Sequence, residues 1–350
     1  MLHFFRKIRH DLIANSKSFR YVKYAIGEIV LVVTGILIAL YINNWNETRK
    51  EQVKFNQVLV DVEQELIDNI SLARAQIYRY TVYDSLCLKL FIDSIKFEDY
   101  GNYGKILTDA GARLAIKDDS FKKLNQIINL TTEQESIMDE LIKLNNEGRT
   151  YLDDYGDHMI KLVNNRDESF QEHDWFENWI LNQLDDERII NFFINDREYS
   201  KMAMSQFSWV SDYRRFISLY DNLAVSTYKN IYNYLDSLGV KHSDSLLFQY
   251  NPNGYKHYLG KYHSKWSSDK NYIHNDSIAV SLKENKLIWT GFSAVSPGAT
   301  RTEIIPIDKY HFRDNRSSGI YHLEFNDQGD VNGIRYSEGP SFILKIEKVR

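Results

Sequence analysis

The chain has 350 residues, with 43 Lys+Arg against 48 Asp+Glu and a formal net charge of −5, a balance without the broad basic footprint of a nucleic-acid binder. At 43% hydrophobic and 26% charged, with mean hydropathy −0.45, it is neither disordered nor wholly membrane-embedded, and its length suggests about two folded units of roughly 150 residues. A single cysteine, Cys87, excludes an intramolecular disulfide framework and any four-cysteine zinc module.

Residues 1–20 carry Leu2, Phe5, Ile8, Leu12 and Ile13 beside a basic face. They read as a cytoplasmic amphipathic segment on anionic lipid, or as a basic tail that sets topology. The run Ala25–Ile42 holds one acid, Glu28. With Tyr21, Tyr24 and Trp45 as interface anchors it is expected to form a transmembrane signal anchor over 21–46. No pair of small residues follows it for a signal peptidase. Basic residues crowd its N-terminal flank and acids its C-terminal flank. The positive-inside rule therefore places the N-terminus in the cytoplasm and the bulk of the chain in the periplasm, for a bacterial inner-membrane protein with a single pass. Glu28 reads as an interfacial acid near the cytoplasmic end. Gly27, Gly35 and Ala39 are small enough for close helix packing, with self-association as the expectation.

Ile36 to Tyr100 contains neither Gly nor Pro, so the membrane helix can run on as a stalk. Phe55, Leu59, Val62, Leu66, Ile70, Ala73, Ile77 and Tyr80 then recur at steps of three and four, one apolar stripe of an amphipathic helix. Cys87, without a neighbouring His or basic cluster, reads as a small buried hydrophobe. Asp119-Ser120 predicts a second helix through Ile127 and Ile128, and Thr132-x-x-Glu135 a capping box for a third. Further helices are predicted over about 149–165, 175–194 and 197–238. The last has Val210, Tyr213, Ile217, Tyr220, Ala224, Tyr228, Ile231 and Leu235 on one face, and Gly239 as its C-cap. Residues 47–240 thus predict an antiparallel helical bundle or stalk, with coiled-coil pairing as the other arrangement.

All four prolines lie in the last hundred residues, where the period shortens from about 3.6 to about 2. Alternation at Ile278/Val280/Leu282, Tyr321/Leu323/Phe325 and Phe342/Leu344/Ile346 marks strands, with turns at Lys283–Lys286, Asn326–Asp330 and Gly339-Pro340. Roughly eight strands over 250–350 suggest a small antiparallel β-barrel or sandwich, making the chain an α+β multidomain protein.

Two resemblances rest on specific residues. FFRKIR followed by YAIGEIVLVVTGILIALYINNWNE resembles the start of an uncharacterised single-span membrane-protein family of flavobacteria and their relatives, and Ala110–Lys117 looks like a degenerate form of its second motif. That resemblance implies an inner-membrane protein and transfers no catalytic residue. Tyr258-Leu259-Gly260-Lys261-Tyr262, Asn285-Lys286-Leu287, Ile305-Pro306, Tyr310-His311-Phe312 and Phe325 to Gly333 are similar to lipocalin-like β-domains appended to bacterial serine hydrolases. The resemblance implies a recognition or packing module. No Gly-x-Ser-x-Gly or Ser-x-x-Lys sits on a strand-to-helix turn to supply the nucleophile.

Chemistry-bearing clusters are few. Asp153-Asp154-Tyr155-Gly156-Asp157-His158 could offer oxygen ligands, yet the twelfth position of a calcium loop is an amide, so it reads as a solvated turn between helices. Glu172-His173-Asp174 reads as an exposed acidic turn, lacking the paired histidines of a zinc helix. His257, His263, His274, His311 and His322 fall in the β-region, and the parity of His322 predicts outward exposure. No phosphate loop appears, and no cofactor is expected. Trp266, Trp289 and Phe292 are the candidate ligand or partner surface, as an aromatic cluster at a barrel mouth. The expected function is a non-enzymatic envelope protein presenting a stalk and β-module to a protein partner. A carrier or sensor of a small-molecule ligand (apolar molecule, peptide or glycan) is the alternative, and a hydrolase with an unrecognised site the second alternative.

Overall fold

The computed structural model describes residues 18–92, 113–183, 185–243, 246–267, 273–293, 296–314, 319–337 and 343–349. The amphipathic reading of residues 1–20 falls almost wholly outside them, as do the start of the Ala110–Lys117 motif and the Gly339-Pro340 turn. The first described element, α1, is a single helix over Ser18–Ile92 of 75 residues, about 110 Å long at 1.5 Å per residue. It is long and apolar enough to cross a membrane, and its apolar window is wholly unburied within the fold. No proline interrupts it, and Gly27 and Gly35 sit in the span, where a Cβ would meet nothing within 4 Å.

Beyond Val53, α1 becomes the spine of a bundle. Every residue of the predicted stripe from Phe55 to Tyr80 is buried. Against it pack α2 (Asp119–Leu124), the start of α3 (Thr132–Lys143) and α7 (Arg197–Ser237), while α4 (Arg149–Phe170) packs on α7 and the short helices α5 (Phe176–Ile180) and α6 (Glu187–Asn195) lie between α4 and α7 in the chain. The α1/α7 pair is antiparallel: Tyr234 donates to Asn56 at 3.0 Å, Arg74 meets Asp221 at 3.0 Å, and Ser211 lies beside Asp84. The whole α7 stripe from Val210 to Leu235 is buried opposite. Phe170, Trp175, Ile189, Phe192, Phe193 and Tyr199 form a separate aromatic core at the far end.

Local chemistry explains most of the boundaries. The N-cap of α3 is Thr131 with Gln134, one residue before the predicted box. The hydroxyl of Thr131 accepts from the Gln134 amide at 3.3 Å while the Gln134 side chain accepts from the Thr131 N–H at 3.1 Å. The second helix stops at Leu124 rather than reaching Ile128. Its first turn is held instead by the Glu65 carboxylate, which accepts from the Ser120 N–H at 2.9 and 3.0 Å. A π-turn at Leu144–Gly148 joins α3 to α4, placing Gly148 against the Tyr220 ring. At the end of α7, Gly239 has φ +63°. Its N–H bonds to the Asp236 carbonyl at 3.0 Å and that of Val240 to the Leu235 carbonyl at 3.2 Å, a Schellman closure. Gly239→Ala is expected to cost about 1–2 kcal/mol, the strain of an L-residue in the left-handed region, read as a lower urea midpoint.

The C-terminal region is a closed eight-stranded antiparallel barrel in sequential order, entered through a short 3₁₀ helix, Pro252–Tyr258. The strands are β1 (Gly260–Ser267), β2 (Ile273–Lys283), β3 (Lys286–Ser293), β4 (Ser296–Pro306), β5 (His311–Asp314), β6 (Ile320–Phe325), β7 (Val331–Ser337) and β8 (Ile343–Lys348). Closure pairs β1 with β8, Tyr262 opposite Lys348. The β2–β3 hairpin turns on Glu284 and Asn285, both at positive φ, the two-residue turn whose twist matches the strands. Tyr262, Ile278, Trp289, Phe312, Tyr321, Ile334, Tyr336 and Ile346 pack inside. Trp289 lies 4.8 Å from Tyr321, and Tyr321 4.8 Å from Tyr336.

Candidate functional site

The densest buried polar chemistry lies where the outer face of β5–β7 rests on α1 and α7. Strand alternation turns Phe312 and Tyr321 inward, which sends Arg313 and His322 out of the barrel. The helices cover them: His322 is 9% exposed, Arg313 3%, Asp84 and Asp221 0%, and Arg214 1%. The predicted exposure of His322 is therefore corrected. Its parity is outward, but outward here means into a second structural layer.

Two carboxylates organise this seam. Asp84 of α1 pairs with Arg214 of α7 at 3.0 Å, accepts from the Ser337 hydroxyl at 2.7 Å and lies 3.3 Å from His322 Nε2. Burial alone would raise its carboxyl; Arg214, then His322 and Ser337, reverse that and hold it at about 2. Asp221 of α7 takes Arg74 of α1 at 3.0 Å and, on its other oxygen, the Arg313 guanidinium from β5. Arg313 also donates to the Asn222 side chain at 2.9 Å and toward the Ser218 carbonyl at 3.4 Å. Burial lowers the Arg313 pKa, with Asp221 opposing. Each helix thus contributes a carboxylate whose partners include a barrel side chain.

Ser85, next along α1, connects the seam to its edge. Its hydroxyl donates to the Thr81 carbonyl at 3.0 Å and lies 3.3 Å from His322 Nδ1 and 3.4 Å from His311 Nε2. His311 Nδ1 is held by Asp308 at 2.8 Å. The order Asp308, His311, Ser85 is that of a hydrolytic triad, but Ser85 sits within a helix with its proton directed at backbone, not on a strained strand-to-helix elbow. These contacts join β5 and β6 to α1. The His322 pKa is lowered, chiefly by burial, with His311 and Arg214 adding and Asp84 opposing. A base with a depressed native pKa gives stability that is complete above its unfolded value of about 6.5 and is lost as pH falls. Asp84 acts in the same direction below about 4. Barrel docking is therefore expected to weaken on acidification from about pH 6.5, and His322→Asn to flatten that upper limb, read as urea midpoints across pH.

The sequence-predicted residues fall elsewhere. Trp289 is 2% exposed in the barrel core, while the side chains of Trp266 and Phe292 lie outside the described residues. Gly27, Gly35 and Ala39 lie on the exposed apolar part of α1. Asp153 and Asp157 are not in a turn: they lie within α4 and each accepts from Arg113 at 2.8 Å. Gly156 between them admits Arg113 and the Tyr213 hydroxyl, which accepts from the Leu114 N–H at 2.8 Å. Asn69 clamps the next residues, donating to the Lys117 carbonyl at 2.8 Å and accepting from its N–H at 3.0 Å. Cys87 is 1% exposed and burial pushes its thiol up. The His257 ring is tilted 55° against that of Tyr258, centroids 3.7 Å apart, His263 is exposed on β1, and the side chain of His274 lies outside the described residues. Among the described residues no group of three or more His, Cys, Asp or Glu is placed to hold a metal ion.

Residues 28–111 match a family of unknown function, DUF6090. The matched stretch runs from the apolar segment through the spine of the bundle, Asp84 and Ser85 included, and stops before α2. No curated protein and no solved structure matches the chain.

Proposed function

We propose that the protein is a non-enzymatic, single-pass envelope protein that fixes a β-barrel to a rigid helical stalk so that the barrel engages a protein partner outside the cytoplasmic membrane. The observation that carries this reading is the continuity of α1. One unbroken helix offers an apolar, unburied run at one end and the Asp84/Ser85 anchorage for the barrel at the other. The excess of basic residues before the span supports a cytoplasmic N-terminus. The filled barrel interior favours a presenting module over a carrier, since Trp289, Tyr321 and Tyr336 occupy the space a ligand would need.

The test is site-specific photo-crosslinking in cells of the native host, with the crosslinker at the exposed barrel positions Lys261, Glu284 and Gln328 of the full chain, after a carbonate wash of the membranes. Retention in washed membranes with one protein captured from several barrel positions supports the proposal. Release by carbonate removes the anchor. A barrel that captures no protein, while the intact chain purifies with a small molecule bound, makes it a carrier.

A further inference from the structure

Two turns of the bundle face the same way as the apolar end of α1. Asn129 donates to Glu51 at 2.6 Å and Gln134 to Asn56 at 3.0 Å, so the turn joining α2 to α3 wraps α1 beside residues 51–56. Chain direction makes it a tip, because Ser120 before it and Leu141 after it both lie farther along α1, at Glu65 and at Val62 and Leu66. The α7 C-terminus makes a second tip. Tyr234 reaches Asn56, Leu238 and Gly239 follow, and by His242 the chain has turned back to Glu63.

Each tip turns on a positive-φ residue, Asn129 or Gly239, and each carries a large apolar side chain in the open: Ile128 is 65% exposed and Leu238 49%. Turns are normally filled by Gly, Pro, Asn, Asp and Ser, so an exposed Ile and Leu at the two tips facing one direction call for a partner. From Ile42, the end of the apolar run, to Glu51 is nine residues of continuous helix, about 14 Å. The headgroup layer occupies about 5–8 Å of that distance. A usual tilt of about 20° lowers one flank by a few more Å.

Resting on the reading that α1 spans a bilayer, we propose that Ile128 and Leu238 form a lipid-facing rim that seats the bundle on the headgroups of the outer surface of its membrane. The occupant follows from tethering, since the continuous helix holds both tips about 14 Å beyond the end of the apolar run. The rim makes two added contacts beside the span, so the stalk stands at a set angle.

The test uses the full-length chain in nanodiscs of phosphatidylethanolamine and phosphatidylglycerol. A spin label is placed singly at Ile128→Cys, Leu238→Cys, Leu37→Cys in the span or Tyr151→Cys on α4, with the buried Cys87 left in place. Collision with oxygen and with a water-soluble nickel chelate reports depth. The rim is supported when Leu37 favours oxygen strongly, Tyr151 favours the chelate, and Ile128 and Leu238 fall between, becoming chelate-accessible in amphipol without lipid. If Leu37 favours oxygen while both tips behave like Tyr151, the anchor stands and the rim is overturned. If Leu37 itself favours the chelate, the anchor has failed. Spin–spin broadening at the tips that persists in amphipol assigns them to a second copy of the chain and also overturns the rim.

Discussion

Asp84→Ala is expected to lower the stability of the full chain by about 3–5 kcal/mol, the range for removing one partner of a buried ion pair, and to loosen the barrel from the bundle. The expectation follows from what is left behind. Arg214 is 1% exposed and would lose its carboxylate without gaining water; Ser337 would lose its acceptor on α1 and His322 would keep only its contact with Ser85 there. The shape change is small, so the cost is electrostatic. Urea unfolding followed by tryptophan emission measures the loss, and amide exchange across β5–β7 locates it. Asp84→Leu with Arg214→Met removes both charges together and is expected to recover most of the loss, because an apolar pair of similar volume escapes the desolvation penalty. A loss below about 1 kcal/mol would place the pair in the class of solvated ion pairs and remove Asp84 as the anchorage.

Arg313→Met is expected to cost about 3 kcal/mol, the low end of the same range, and to release the barrel more than it weakens the bundle. Asp221 keeps Arg74 when Arg313 is lost, which limits the penalty within the helices. The barrel loses its guanidinium contacts to both Asp221 and Asn222. Amide exchange should therefore rise on β5 and β6 while the α1/α7 pair stays protected. Arg74→Met is the comparison. With 37% of its side chain exposed, it is expected to cost no more than about 1 kcal/mol. Equal exchange increases on helices and barrel in Arg313→Met would mean that the two regions unfold as one unit.

The stripes on α1 and α7 were legible because burial on one helix face imposes a period that needs no knowledge of the partner. Barrel strands were legible for the same reason at period 2, and the Gly239 stop because only a left-handed residue closes that turn. The seam was not. Asp84, Arg214, His322 and Ser337 are separated by up to 253 positions, and nothing local distinguishes Asp84 from a solvated acid on a long helix. A signal was present: Asp84 and Ser85 follow Tyr83 and precede Cys87, so a polar pair interrupts an apolar face where the stripe should continue. His322 shows the limit of parity, which gives a side of the sheet and not what lies on that side. The capping box slipped by one residue because Thr131-Thr132 is followed by Gln134-Glu135, so both registers satisfy the pattern. The acidic cluster at 153–157 was misread because glycine was taken as a turn, whereas Gly156 lets Arg113 and Tyr213 approach the helix.

An uninterrupted helix from the apolar run to Ser85 also fixes torsional phase. Each residue of α1 turns the chain by about 100°, so the side of the stalk on which the barrel sits is set by how many residues separate it from the apolar run. One residue inserted between Asn46 and Val53 would swing the barrel about a quarter-turn or more around the stalk axis, while seven would return it nearly to its starting azimuth and lift it by about 10 Å. Height and heading are then separately adjustable, and on the proposed reading a partner fixed in the membrane would accept the second insertion far more readily than the first.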